Sequence, residues 1–273
     1  MAQSGPVRAG EEPDVMTQEQ GPLQGVDKWE AERLRATAFI LPGADVSGMP
    51  SWWAKAVGEE PDEVLTRPRA GQMQQVGAFE GKRLALVAQP GRVDWNLLAT
   101  MGTPDESVAG LLTLGPFSAT LGPFLNVVRR WLGVCPPVRR LAFGSVLVRP
   151  VADLQTGYTE LSQFLPKFVL DQTDSSDFLY QINRPRMSTS GIELKLNRLT
   201  KWSVMQAGFI EVAVGGAVGA SLASGPLQFA CRLELDISTA AESTGEIPKD
   251  KMRSVFEELV GLGCEIAVQG DIP

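Results

Sequence analysis

Leu227, Phe229, Cys231, Leu233, Leu235 and Ile237 alternate with Gln228, Ala230, Arg232, Glu234, Asp236 and Ser238. A period of two places every second side chain on one face of a strand, so one face meets a core and the other meets water or a polar cleft. Ile192, Leu194 and Leu196 alternate in the same way with Glu193, Lys195 and Asn197. Such half-polar strands belong to antiparallel or mixed sheets and count against a doubly wound parallel sheet. Arg83 to Ala88 and Val93 to Leu98 flank Gln89-Pro90-Gly91-Arg92. Pro followed by Gly suits a type II turn, which predicts a hairpin. Ala36 to Leu41 and Arg140 to Val148 read as buried strands, the first ending at Pro42-Gly43 and the second interrupted by Gly144.

Helical spacing alternates with these strands. Leu121, Phe124, Leu125, Val128, Trp131 and Leu132 recur on one helical face, with Pro136-Pro137 as the stop. Leu154, Tyr158, Leu161 and Leu165 repeat the pattern up to Pro166. A last helix is expected from about Lys249 to Leu262, closed by Gly261 and Gly263, with Cys264 to Val268 returning as a strand. The thirty or so residues after Leu41 read as irregular structure with a short helix. Together these elements predict an α+β fold. An antiparallel or mixed sheet keeps one solvated face, and about three amphipathic helices pack the other.

Residues 1–25 are rich in Gly, Pro, Gln and Glu and poor in large apolar residues, so a disordered tail is expected there. Residues 26–273 then form one α+β domain, with a division into two subdomains conceivable near 135–150. Val212 to Cys231 carries no charge, but its Gly, Ala and Ser content and Pro226 argue against a membrane helix, and Gly215 to Gly225 read as a flexible loop between two strands. With 44% hydrophobic and 21% charged residues the chain has an ordinary globular composition, enough for a core without disulfides or metal staples. Three widely spaced cysteines without a CxxC pair suit a reducing, cytoplasmic compartment.

The sequence contains no histidine. Ser-His-Asp triads, Cys-His dyads and HExxH zinc sites are therefore excluded within this chain. The GxxxxGK[ST], GxGxxG-after-strand and GxSxG motifs are absent too. What chemistry remains must rest on carboxylates, Lys, Tyr, Ser, Thr or Cys. Asp177 ahead of the Glu193-x-Lys195 pair is similar to an arrangement used by metal-dependent nucleases, in which carboxylates hold a divalent cation and the lysine orients water. Glu234 and Asp236, two apart on one strand face, would join Glu193 as ligands of Mg2+ or Mn2+ in that reading. No other cofactor is expected. Cross-strand ion pairs on a solvated face account for the same letters.

The net charge of −7 is unevenly spread, with acidic ends around a basic middle. Arg184, Arg186, Arg198 and Lys201 in that zone suit phosphates or carboxylates, nucleic acid included, unless internal acids such as Glu234 and Asp236 pair with them. Trp52 and Trp53 are adjacent, and a regular strand cannot point both into one core, so one of them is a candidate partner anchor. The absences favour a non-enzymatic protein that binds another macromolecule, a protein before a nucleic acid, with no membrane partner. A metal-dependent nuclease or phosphoesterase and a nucleic-acid-binding protein are the alternatives.

Overall fold

The computed structural model describes residues 26–100, 111–168, 176–208, 210–214, 220–224 and 227–273. In chain order the strands are β1 (Glu30–Ile40), β2 (Glu63–Arg67), β3 (Gln72–Phe79), β4 (Lys82–Gln89), β5 (Arg92–Leu98) and β6 (Val138–Val151). They continue with β7 (Leu179–Asn183), β8 (Arg186–Met187), β9 (Lys195–Ala207), β10 (Ile210–Val214), β11 (Ala220–Ser224) and β12 (Gln228–Thr239). The α-helices are α1 (Trp52–Val57), α2 (Phe117–Val134), α3 (Leu154–Phe164) and α4 (Lys249–Gln269). The main sheet runs β2-β3-β4-β5-β1-β6-β12-β9-β7, β8 also pairs with β9, and β10 pairs with β11. Every one of these pairings is antiparallel, which gives an α+β protein with a large antiparallel sheet.

Register decides which side chains meet. Leu34, Ala36 and Ala38 of β1 lie level with Leu97, Trp95 and Val93 of β5 and with Ser145, Phe143 and Leu141 of β6. Leu147, Ser145 and Phe143 continue the rows to Leu233, Leu235 and Ile237 of β12. These pass on to Trp202, Thr200 and Arg198 of β9. The helices pack on this face. Gly263 of α4 backs onto the Phe143 ring and Leu235, and Gly157 of α3 lies against Val204 and Val151. Trp52 and Trp53 of α1 and Trp131 of α2 form a cluster with Trp95, in which the Trp53 and Trp95 rings stack 5.8 Å apart. Among the described residues no helix packs on the other face, and none is long and apolar enough to cross a membrane.

Several expectations change. Trp52 and Trp53 are both buried, so neither is an exposed partner anchor. The strand argument fails because they open a helix, where successive side chains turn by about 100° and two neighbours can enter one core. Gly261 and Gly263 do not end α4, which continues to Gln269 and buries Cys264, Ile266 and Ala267. Gly263 is an approach point for Phe143, and the stop is Gly270, at φ +83°. Gly144 does not interrupt β6, which runs unbroken. The stretch expected to be irregular holds β2 and runs into the start of β3, and about half of the expected Gly-Ala-Ser loop is strand β11. Residues 135–150 contain most of β6, bonded to β1 on one side and β12 on the other. The expected tail at 1–25 lies outside the described residues.

Candidate functional site on the helix-free face

The rows between the apolar ones face away from the helices, and they carry most of the charge of the central strands. One row reads Asn96, Arg35, Gly144, Asp236, Leu199 across β5, β1, β6, β12 and β9. The next reads Leu98, Arg33, Val146, Glu234, Lys201, Gln181, reaching β7. Residues of the two rows line a depression of about 240 Å3. Gly144 forms its floor. A Cβ there would stand 3.3 Å from the Arg35 guanidinium, so the missing side chain is what lets Arg35 lie across the strand toward Asp236.

Most charges on this face are matched within it. Glu234 accepts from Lys201 Nζ at 3.0 Å and from Arg232 at 2.8 Å, and Arg232 reaches Glu32 at 3.3 Å. Arg92 donates twice to Asp94, at 2.7 and 2.8 Å, a bond that raises the arginine's pKa. The Thr37 hydroxyl donates to the same aspartate at 2.6 Å. Arg140 stacks on Phe39 with 4.5 Å to the ring centroid. Two arginines stand apart from this pattern. Arg33 is exposed and has no polar partner among the described residues. Arg35 reaches only Asp236, at 3.6 Å, beyond hydrogen-bond length. Two apart on one strand, they stand on one face with their backbones roughly 7 Å from each other.

The residues expected to share a metal do not converge. Lys195 is the first residue of β9, and Glu193 is exposed ahead of the strand rather than on it. Glu234 lies opposite Lys201, six residues from Lys195 and therefore about 20 Å along the strand. Asp236 lies opposite Leu199, nearer but already beside Arg35. Asp177 stands exposed, with φ at +55°, two residues before Leu179, which pairs with Ser203 toward the far end of β9. Asp177 and Lys195 thus belong to opposite reaches of one strand. Among the described residues no three acidic or thiol groups are placed to hold a metal ion.

The basic candidates also separate. Arg198 and Lys201 are three apart on β9, so the period of two sends them to opposite faces. Arg198 is buried on the helix side and donates to the Arg184 carbonyl at 2.8 Å. Arg184 grips Asp271 through two bonds of 2.5 and 2.6 Å, not Glu234 or Asp236. Arg186 is half-buried and reaches only the Met187 carbonyl, at 3.5 Å. No continuous basic stripe forms from these four. The cysteines are buried as well, and burial pushes the Cys231 and Cys264 thiols up to about 12, far from a reactive thiolate.

Sequence reasoning passes over Arg33, Arg35 and Asp271, and reads Gly144 only as a break in its strand. The signal for the arginines is present, because Leu34, Ala36 and Ala38 alternate with Arg33, Arg35 and Thr37. A search for apolar runs starts the strand too late to see it. The chain is thus an α+β protein with a helix-covered antiparallel sheet and a charged open face. Comparison with models of known protein families and with curated protein sequences finds no match.

Proposed function

We propose that this is a non-enzymatic binding protein whose helix-free sheet face receives a protein partner through an acidic segment. The observation that carries the reading is the pair Arg33, which has no partner among the described residues, and Arg35, held only by a loose 3.6 Å ion pair to Asp236, beside a depression lined by Gly144. A guanidinium presents planar donors that match a carboxylate. The surrounding pairs Lys201–Glu234 and Arg232–Glu32 balance the local charge, which suits a polypeptide with a few acids better than a polyphosphate strand. Phe39 is the aromatic contribution of the central strands to this face, and Arg140 already covers it, so a stacking platform for bases is missing there.

The test is site-specific photocrosslinking from Gln181, which is exposed at the rim of the depression, in extracts of the native host. Arg33→Glu together with Arg35→Glu should reduce the protein adduct about tenfold or more, because both donor forks become like charges facing the partner's acids. Circular dichroism should match that of the parent chain. An adduct indifferent to the double reversal, or one removed by nuclease treatment, overturns the reading.

A further inference from the structure

A second cavity, of about 490 Å3, opens on the opposite side of the sheet. It sits where β1 runs into the 41–49 segment, with walls from Ile40, Val93, Trp52, Met49 and Pro90. Ile40 and Val93 belong to the apolar faces of β1 and β5, so the cavity is an opening in the helix-side core. Its volume falls within the range of about 300–1,000 Å3 usual for small-molecule sites.

Arg139 is the one charged residue in this wall. Three observations distinguish it. Phe39 pairs with Arg140 while Ile40 pairs with Val138, so Arg139 is the extra residue of a β-bulge in β6. Bulges re-aim side chains and recur beside binding sites. Here the bulge leaves Val138 buried opposite Ile40 and gives Arg139 a separate place at the cavity wall. The Nε–H of Arg139 is buried without an acceptor. Among the described residues, its guanidinium forms no ion pair or other hydrogen bond either. With its Nε–H closed off, the guanidinium would meet an incoming oxygen through its Nη groups, which are unpaired among the described residues.

We propose that this cavity binds a small amphiphilic carboxylate, with its apolar body among Ile40, Val93, Trp52 and Met49 and its carboxylate on Arg139. A single guanidinium, with no second cation in the wall, matches one negative charge rather than a phosphate dianion. The site is on the other side of the sheet from Arg33 and Arg35, so it stands or falls independently of the partner-binding reading.

Calorimetric titration and thermal shift with octanoate, octanol and octylammonium test it on the full chain. Octanoate should bind saturably, about tenfold or more tighter than octanol, and should raise the thermal midpoint, while octylammonium should bind more weakly than octanol. Arg139→Met should bring octanoate down to the level of octanol and leave octanol binding in place. Ala44→Phe, which adds bulk from the cavity wall without touching Arg139, should abolish binding of both and covers the case in which Arg139→Met fails to fold. Equal affinity for octanoate and octanol in the parent chain would sink the proposal. So would a preference for octanoate that survives in Arg139→Met, or the absence of saturable binding at millimolar octanoate.

Discussion

Leu233→Ala should destabilise the protein by about 2–5 kcal/mol, whereas its neighbour change Arg232→Ala should cost no more than about 1 kcal/mol. Leu233 is fully buried, level with Leu147 on one side and Trp202 on the other, and truncation leaves a cavity between sheet and helices. Arg232 is on the opposite face, partly in solvent, and bonds Glu32 and Glu234. When it is removed, Glu234 still holds Lys201 at 3.0 Å. Urea titrations of the two variants give the comparison directly. Equal losses would mean that both faces of β12 are sealed, and the open face would cease to be a candidate surface.

The second large effect is expected at Asp271. Its carboxylate takes two bonds from Arg184 and one from the Tyr180 hydroxyl at 2.8 Å, while its backbone N–H donates to the Phe164 carbonyl. The end of α4 is thereby tied to the end of α3 and to β7. Asp271→Ala leaves Arg184 without its acid, and a charge-assisted bond of this kind contributes about 1.5–3 kcal/mol. The hydrogen bonds from Arg184 hold the Asp271 carboxyl below its ordinary range. A carboxyl depressed in the folded state stabilises fully above its unfolded pKa of about 3.9, and loses that contribution as pH falls through the lower folded value. The stability gap between the parent chain and Asp271→Asn should therefore be level from neutral pH down to about 5 and close below about 4. Chemical denaturation across that range reads it out. A gap that persists in strong acid would show that the role of Asp271 is steric.

Legibility in the sequence followed the range of the forces involved. The β4–β5 hairpin is visible because Pro90 and Gly91 encode the turn locally, and Gly91 does take φ +74°. Helices α2 and α3 are visible because one apolar face repeats within each of them. β2 and β3 are not, since β2 is exposed at the sheet edge and β3 is rich in Gln, so their pairing comes from neighbours rather than from their own apolar pattern. The alternation of β12 correctly predicts Leu233 and Leu235 inside and Glu234 and Asp236 outside. What it could not supply is register. Register separates Lys195 from Glu234 along β9, and it places Gly144 between Arg35 and Asp236. A site assembled across five strands is a property of pairing, and one sequence does not state its pairing.

The central place of β6 governs how the chain reaches this arrangement. Strands β2 to β5 pair with their neighbours in the chain, and β9 meets β12 around the intervening β10–β11 ribbon. Each of these groups can zip together over short loops at small entropic cost. β6 must capture both β1 and β12, its Phe143 standing between Ala36 and Ile237, which are far from it in the chain, and β1 must also reach across to β5. Closing those long loops is the slow event in a topology of this kind. Arrival of β6 thus sets the refolding time: a cavity cut at Phe143, or at Leu86 in the meander that is already formed by then, retards the forward reaction and leaves the reverse little changed.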